Sequence, residues 1–244
     1  MVRYATYRDF PGWGEAPGYI KAVVEREGAR SVLEIGGGRS PTLSPEEVRA
    51  AGIEYTVNDI DPSELAFVDP AYATLCFDMS ASLPAEVSHR RFDLIFSRMV
   101  NEHVADGTTY YGNIFSLLSP GGLSVHFFAT LFTLPTLVNL LVPEPVSARV
   151  RSFAFARNTR DYRYEKFPAR YSWCRGPGAS MTRRFQAVGF DIEDYVGFFG
   201  HAYYRRVPAL HRLEQAKARW LIRHPISALT SSALVSLRKP ELTT

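Results

Sequence analysis

The sequence predicts an α/β fold in which helices cover both faces of a mostly parallel, seven-stranded sheet. Three observations favour this doubly wound fold. Short apolar segments alternate with segments of helical periodicity from residue 18 to about residue 130, as in consecutive βαβ units. A glycine-rich turn, Gly36 to Gly38, directly follows the first apolar segment. The alternation returns after residue 176, so the C-terminal part can add strands to the same sheet.

Turn and capping residues mark the limits of the predicted elements along the chain. Gly28 stops the first helix, and Ser44-Pro45-Glu46-Glu47 has the pattern of a capping box with proline at the first helical position. Arg91 and Arg98 bound the fourth strand, and the turn Ser119-Pro120-Gly121-Gly122 precedes the fifth. The predicted helices are residues 18–28, 45–51, 107–118, 179–187 and 209–223. The predicted strands are residues 31–35, 54–59, 73–77, 92–97, 123–128, 191–198 and 233–237.

Residues 129–176 interrupt the alternation. The apolar run from residue 127 to residue 142 contains Pro135 and leads towards an arginine-rich block. It is shorter than the ~20 residues that span a bilayer, so it fits either a buried helix with a turn or an interfacial helix beside the basic block. We expect residues 129–176 to be an insertion that covers the substrate, within a single domain of residues 1–244.

The net charge of +3 is unevenly distributed. Residues 1–148 carry an excess of acids, whereas residues 149–184 carry ten Lys and Arg against two Asp and Glu. A basic block of this density fits an acidic partner or a solvated, arginine-rich surface. The acidic first half and the small total charge argue against nucleic acid as the partner.

Cysteine usage and the start of the chain predict a reducing, cytoplasmic setting, with peripheral membrane contact left open. Cys76 and Cys174 are the only cysteines, too few for a disulfide framework. Residues 1–10 lack the apolar core of a signal peptide. No cluster of His, Cys, Asp and Glu has the spacing of a metal site, so no metal is predicted. The Gly-x-Ser-x-Gly pattern of a nucleophile elbow is also absent.

The glycine turn and the acid before it are the most informative segment. Glu34 lies two residues before Gly36, at the end of the first strand. An acid there does not suit a pyrophosphate, but it suits a cofactor that presents an ammonium group. The pattern Glu34-x-Gly36-x-Gly38 resembles motif I of the class I S-adenosylmethionine-dependent methyltransferases. Pro41 stands where a dinucleotide fingerprint has its third glycine, which argues against a nicotinamide-dependent oxidoreductase. The turn at residues 39–43 is longer than is usual in the family.

Three further segments support the resemblance and the roles it implies. Asp59 ends the second strand, 23 residues after Gly36, where an acid binds the ribose hydroxyls. Asp78 ends the third strand, where the family usually places an acid that contacts adenine. Residues 92–98, 102–103 and 118–122 resemble the family's fourth strand, the following helix and the turn before the fifth strand. We therefore expect a Rossmann-like sheet with an antiparallel last strand and S-adenosylmethionine as cofactor, with Glu34 orienting its methionine end. The predicted cofactor-binding residues are Glu34, Gly36, Gly37, Gly38, Asp59, Ile60, Asp78, Met79 and Ser97.

Methyl transfer from a sulfonium depends mainly on alignment of donor and acceptor, and a hydroxyl acceptor also needs a base. His103 follows the fourth strand and His201 follows the sixth, so both are candidate bases. Glu102 is a carboxylate alternative, and His126, inside a strand, is expected to be a core residue. Aromatic residues between arginines could bind sugars or planar rings, or could pack a lid onto the core. The predicted substrate-binding residues are Arg98, Met99, Tyr171, Trp173, Tyr203 and Tyr204.

The predicted activity is O-methylation of a small molecule, since the chain resembles methyltransferases of saccharide and natural-product pathways. A sugar, glycoside or secondary metabolite is the expected acceptor, with an anionic or glycosylated one also fitting the basic block. Two alternatives stay open. One is a catalytically idle, cofactor-binding subunit that serves a partner, and the other is a methyltransferase that acts on a lipid-linked glycan at the membrane surface.

Overall fold

A computed structural model describes residues 1–131 and 168–241. Within these residues one eight-stranded sheet runs through the molecule, in the order β1-β7-β8-β6-β5-β2-β3-β4. Only β8 in this sheet is antiparallel to its neighbours, which confirms the predicted mostly parallel sheet with an antiparallel last strand. The strands are β1 (Val2–Thr6), β2 (Ser31–Ile35), β3 (Glu54–Asp59), β4 (Ala73–Cys76), β5 (Phe92–Arg98), β6 (Leu118–Ala129), β7 (Asp191–Phe199) and β8 (Ser232–Arg238).

The sheet has one strand more than the seven predicted. β1 extends the sheet beyond β7 in parallel register, with Val2 opposite Tyr195. Its partner lies far away in sequence, so no local pattern announces the pairing. β6 also begins at Leu118, earlier than the predicted residue 123. The predicted turn at residues 119–122 lies within β6, where the register of its pairing with β5 shifts.

The helices follow the predicted order in the described residues. The capping box of α2 forms as predicted, because Ser44 N donates to Glu47 Oε2 at 2.9 Å and Glu47 N donates to Ser44 Oγ at 3.3 Å. The first helix begins at Ala16, two residues earlier than predicted, and stops before Gly28. The helices are α1 (Ala16–Glu27), α2 (Pro45–Ala51), α3 (Pro62–Leu65), α4 (Ala85–Ser88), α5 (Gly107–Leu117), α6 (Ala179–Val188) and α7 (Pro208–Arg223).

The parallel register brings the ends of four strands to one edge of the sheet. Ile35 at the end of β2 lies between Asn58 of β3 and Ser97 of β5, and Asp59 lies opposite Cys76 of β4. Core side chains cover both faces of the sheet. The loops that follow these strands therefore share the carboxyl edge, where ligands of doubly wound sheets bind.

Most of the predicted insertion, residues 132–167, lies outside the described residues. Its C-terminal part returns to the sheet, because Leu131 N donates to the Cys174 carbonyl at 3.2 Å. The limits of the insertion and of the domain stay predictions. In residues 1–131 and 168–241 no helix has the length and apolar character needed to cross a membrane.

Candidate functional site

A cavity of about 390 Å³ opens at the carboxyl edge, where β2, β3, β4 and β5 end. This volume lies in the range of small-ligand sites. Residues that were not predicted also line it, among them Asn58, Val100 and Tyr110, as does Arg170 of the arginine-rich block. They follow from chain crossings that only the fold defines. The predicted site residues that line the cavity are Gly36, Asp59, Ile60, Asp78, Met79, Met99 and His103.

The turn after β2 needs glycine for two reasons. Gly36 has a φ of +70°, and a Cβ there would lie 2.3 Å from Val100 Cγ2. Its amide and that of Gly37 both donate to the Asn58 carbonyl, at 2.8 and 3.1 Å, which ties the turn to β3. A Cβ on Gly38 would lie 3.0 Å from Asp59 Oδ2. The turn is thus pressed against the cavity, although Gly37 and Gly38 are not part of its lining.

Glu34 lies beneath this turn and does not line the cavity. Its buried carboxylate accepts hydrogen bonds from Thr42 N at 2.9 Å, from Thr42 Oγ1, and from the Tyr55 hydroxyl at 2.5 Å. Burial raises the pKa of Glu34, and the bonds from Thr42 and Tyr55 oppose that rise. The long turn at residues 39–43 therefore closes back onto Glu34. The role expected of Glu34 in orienting the methionine end of the cofactor stays a prediction, and in this geometry its oxygens hold the turn.

Asp59 is the buried acid that faces the cavity. Its Oδ1 accepts a hydrogen bond from Asp61 N at 3.0 Å. Burial raises the pKa of Asp59, and the nearby charge of Glu64 adds to the rise. Glu64 is itself held by Arg39 through two hydrogen bonds of 2.6 and 2.9 Å. A poorly hydrated carboxylate of this kind is a strong acceptor for ligand hydroxyl groups.

Asp78 and Ile60 complete the same wall of the cavity. Asp78 Oδ1 accepts hydrogen bonds from Ser80 N and Ser80 Oγ, both at 2.7 Å, at the exposed mouth. Asn113 of α5 braces this loop by donating to the Met79 carbonyl at 2.9 Å. Ile60 is half exposed beside Asp59. This wall of the cavity thus presents the carboxylate of Asp59, the apolar side chain of Ile60 and the carboxylate of Asp78.

Ser97 lies in a buried network, away from the cavity lining. Its Oγ donates to Asn101 Oδ1 at 2.7 Å and lies 2.7 Å from His126 Nδ1, while Asn101 Nδ2 donates to the Tyr111 hydroxyl at 2.7 Å. Burial lowers the pKa of His126 to about 3, so this histidine is a neutral core residue, as expected. The contact of Ser97 with the cofactor stays a prediction, and its hydroxyl is bonded to Asn101 and His126 inside the sheet.

The two candidate bases lie in different places. His103 lines the cavity, with its Nδ1 3.4 Å from the Pro168 carbonyl. His201 is buried after β7, where its Nε2 lies 3.5 Å from Glu214 Oε1. Burial lowers the pKa of His201. β8 and β6 separate β7 from β5, so the structure brings His103 but not His201 to the cavity.

Three of the predicted substrate-binding residues pack against other aromatic side chains. Tyr203 and Tyr204 pack against His201, with ring centroids 4.9 and 4.7 Å away. Trp173 stacks on Tyr111 at 5.4 Å and covers Gly107, where a Cβ would lie 2.4 Å from its ring. None of these three residues lines the cavity, and their rings are instead in contact with other aromatic rings.

Three of the predicted substrate-binding residues have positive φ angles, which are unusual for residues with a side chain. They are Met99 at +58°, Tyr171 at +52° and Trp173 at +60°. Met99 lines the cavity, whereas Tyr171 is buried beside it and Arg98 is not part of the lining. Such strain persists only where surrounding contacts enforce it, so the backbone around the cavity mouth is firmly held.

Glu102 supplies one of those contacts. Its carbonyl accepts hydrogen bonds from Arg170 N at 2.7 Å and from Tyr171 N at 2.9 Å. Its carboxyl group is fully buried, and burial raises its pKa to about 8. In the described part of the chain Oε2 of this carboxyl group has no hydrogen-bond partner. Glu102 therefore fastens residues 170–171 over the cavity through its backbone.

Across residues 1–131 and 168–241 no cluster of three or more His, Cys, Asp or Glu could hold a metal ion.

A family model described as a methyltransferase domain matches residues 12–195. Among solved structures, the chain is similar to an S-adenosylmethionine-dependent methyltransferase from Archaeoglobus fulgidus, with 16% identity, a TM-score of 0.53 and coverage of 91% of this chain and 94% of that one. It is also similar to the N-methyltransferase NodS from Bradyrhizobium japonicum WM9 in complex with S-adenosylhomocysteine, with 16% identity, a TM-score of 0.52 and coverage of 96% and 92%.

A third similar structure is the phosphoethanolamine N-methyltransferase 2 of Haemonchus contortus in complex with S-adenosylmethionine. It has 16% identity and a TM-score of 0.52, and the match covers 92% of this chain and 53% of that one. No curated protein matches the chain. The matches confirm the predicted resemblance to S-adenosylmethionine-dependent methyltransferases and the predicted fold.

Proposed function

The chain belongs to the methyltransferase family whose domain it matches, and we propose that it transfers a methyl group from S-adenosylmethionine to a hydroxyl group of a small molecule. One observation carries the proposal. The glycine turn, Asp59 and Asp78 meet at a single cavity on the carboxyl edge of the sheet. A nucleoside with an amino-acid tail could use a glycine turn for its tail and two carboxylates for its ribose and its base.

The cofactor would lie along the wall formed by β2, β3 and β4. Asp59 would accept hydrogen bonds from the ribose hydroxyls. Ile60 would pack against the adenine ring, and Asp78 would accept a hydrogen bond from the adenine amino group. Gly36 would let the methionine end approach the backbone, because Gly36 lines the cavity and has no side chain of its own. Glu34 contributes indirectly by holding the turn through Thr42.

The acceptor would occupy the part of the cavity near Met99, His103 and Arg170. When bound, the cofactor supplies an activated methyl group on a sulfonium sulfur. His103 accepts the proton of the acceptor hydroxyl, and alignment by the surrounding walls supplies much of the remaining rate. The Arg170 guanidinium favours an acceptor with an anionic group nearby. A structurally similar enzyme is described in complex with phosphomonomethylethanolamine, a small phosphorylated amine.

An amine acceptor is the second candidate. Two of the similar structures are N-methyltransferases, and a neutral amine needs no base. The two candidates differ in their dependence on His103. The His103→Gln variant should methylate a hydroxyl acceptor far more slowly than the wild type does, but it should methylate a neutral amine at a similar rate.

Calorimetric titration with S-adenosylhomocysteine tests the cofactor site directly. Asp59→Asn should weaken binding by roughly tenfold or more, because a buried ribose hydrogen-bond pair is lost. Asp61→Asn is the matched control, since Asp61 carries the same charge two residues away, is not part of the cavity lining and caps α3 through Ser63 N. Equal binding by the two variants, or preferential binding of NAD by the wild type, would refute the proposal.

A further inference from the structure

The outer face of α7 is a surface that the proposed activity does not use. α7 is held against the sheet by Ala218 and Leu221, which pack with Phe199 of β7. Glu214 is also buried on this inner side. The opposite side of the helix faces solvent, so its side chains are open to contact with a partner.

An apolar ridge runs along this outer face. Leu213 is 66% exposed and Trp220 is 53% exposed. Their spacing, with Ala216 between them, places all three on one stripe of an α-helix. Single exposed apolar side chains are common on proteins, but a contiguous row of them marks an interaction site. Leu210, on the first turn of α7, is also exposed, and so are three apolar residues that flank the helix: Val207, Ile226 and Leu229.

Cations border the ridge. Arg212, Arg219 and Arg223 are exposed and share one stripe beside it, and Lys217 lies on its other side. Glu214 is the only acid between residues 201 and 240, and it is buried and paired with Lys217 at 2.7 Å. The exposed charge of α7 is therefore entirely positive.

We propose that α7 docks the protein onto an anionic lipid bilayer. Leu213 and Trp220 enter the boundary between head groups and acyl chains, and the arginines contact lipid phosphates. A half-exposed tryptophan suits this boundary, because its ring is apolar and its N–H is polar. An apolar stripe bordered by Lys and Arg is the pattern of interfacial helices.

Other occupants fit the surface less well. A nucleic acid would bind the arginines but would leave Leu213 and Trp220 in water. A second copy of the chain would bring two positive faces together, which like-charge repulsion opposes. The sequence had suggested membrane contact for residues 127–176, most of which lie outside the described residues. α7 is a separate surface, and its role does not depend on the proposed methyl transfer.

Vesicle co-sedimentation with the full chain tests the proposal. The wild type should bind vesicles that contain phosphatidylserine but not vesicles of phosphatidylcholine alone, and added salt should weaken the binding. Combined Arg212→Gln, Arg219→Gln and Arg223→Gln should lower the partition coefficient about a hundredfold, or about fivefold for each cation. A separate variant, Leu213→Ser with Trp220→Ser, should also lower the partition coefficient. Its thermal unfolding should stay close to that of the wild type, because both side chains are more than half exposed.

The chain offers matched controls for both changes. Trp13 is 55% exposed, almost the same as Trp220, but it lies before α1 and not on α7. Trp13→Ser should bind like the wild type. Combined Arg49→Gln, Arg90→Gln and Arg183→Gln removes the same charge from other exposed positions. This control should lower the partition coefficient less than the triple arginine variant of α7 does.

Four results would overturn the proposal. They are an absence of binding to anionic vesicles, equal binding to neutral vesicles, binding that the α7 variants and their controls reduce equally, and binding of single-stranded nucleic acid without binding of vesicles. Size-exclusion chromatography tests whether the protein associates with a second copy of itself. A dimer that Leu213→Ser converts to a monomer, in a protein that ignores vesicles, would assign the face to a second copy instead.

Discussion

Replacing Gly36 by alanine should destabilise the fold and weaken cofactor binding. Gly36 has a φ of +70°, and an alanine in the left-handed region costs roughly 1–2 kcal/mol. The new Cβ would also lie 2.3 Å from Val100 Cγ2. That distance is far inside van der Waals contact, so Val100 or the turn must move, which adds roughly 1–3 kcal/mol. We therefore expect the free energy of unfolding to fall by about 2–5 kcal/mol.

Two further variants separate the backbone cost from the clash. Gly28 has a φ of +61° with no atom near its missing Cβ, so Gly28→Ala should incur only the backbone cost. In the double variant Gly36→Ala/Val100→Ala the clash is removed, so the pair should couple favourably in a double-mutant cycle. Urea unfolding gives the free energies, and titration with S-adenosylhomocysteine gives the binding constants. The steric reasoning fails if Gly36→Ala is no less stable than Gly28→Ala, or if Val100→Ala recovers nothing.

Three more predictions follow from single contacts. Thr42→Val removes a hydroxyl donor to the buried Glu34 carboxylate and should lower the unfolding free energy by roughly 1.5–3 kcal/mol. Thr42→Ser keeps the hydroxyl and should keep most of that stability. Equal urea midpoints for the two variants would contradict this. Glu102 keeps its proton in the folded chain up to about pH 8 but loses it above about pH 4.5 when unfolded, so its contribution to stability is present at low pH and is lost as the pH rises through that window. Glu102→Gln should therefore remove a fall of about 1.4 kcal/mol per pH unit from urea titrations over that window, and parallel pH profiles would refute it. His103→Gln should lower kcat for a hydroxyl acceptor by roughly 10²–10⁴ with unchanged affinity for S-adenosylhomocysteine, and unchanged kcat would exclude His103 as the base.

The cofactor wall could be predicted from the sequence because strand ends fix it. Gly36, Asp59 and Asp78 each follow a short apolar strand directly. In a parallel sheet the carboxyl ends of neighbouring strands meet at one edge. Local patterns and one general rule were therefore sufficient to place these residues together, and the cavity is lined by all three.

Neighbouring positions on the same strands were harder to assign, because successive side chains point to opposite faces. Ile35 lines the cavity, whereas Glu34 beside it points to Thr42 and Tyr55. Ser97 is likewise turned into the sheet, towards His126. A shift of one residue along a strand therefore decides whether a side chain lines the cavity or is buried in the core. The partners that settle the matter lie far away in sequence.

The acceptor side depends almost wholly on such distant contacts. Arg170 reaches the cavity because its backbone, with that of Tyr171, is bonded to the carbonyl of Glu102, nearly 70 residues earlier. The positive φ angles of Met99 and Tyr171 belong to the same junction. None of these features has a local signature, since they arise where two remote segments cross. The cofactor wall, in contrast, is built from consecutive strand ends. Under the proposed function, the two halves of the site could therefore change independently. The segment around Arg170 would alter the acceptor, while Gly36, Asp59 and Asp78 would keep the same donor.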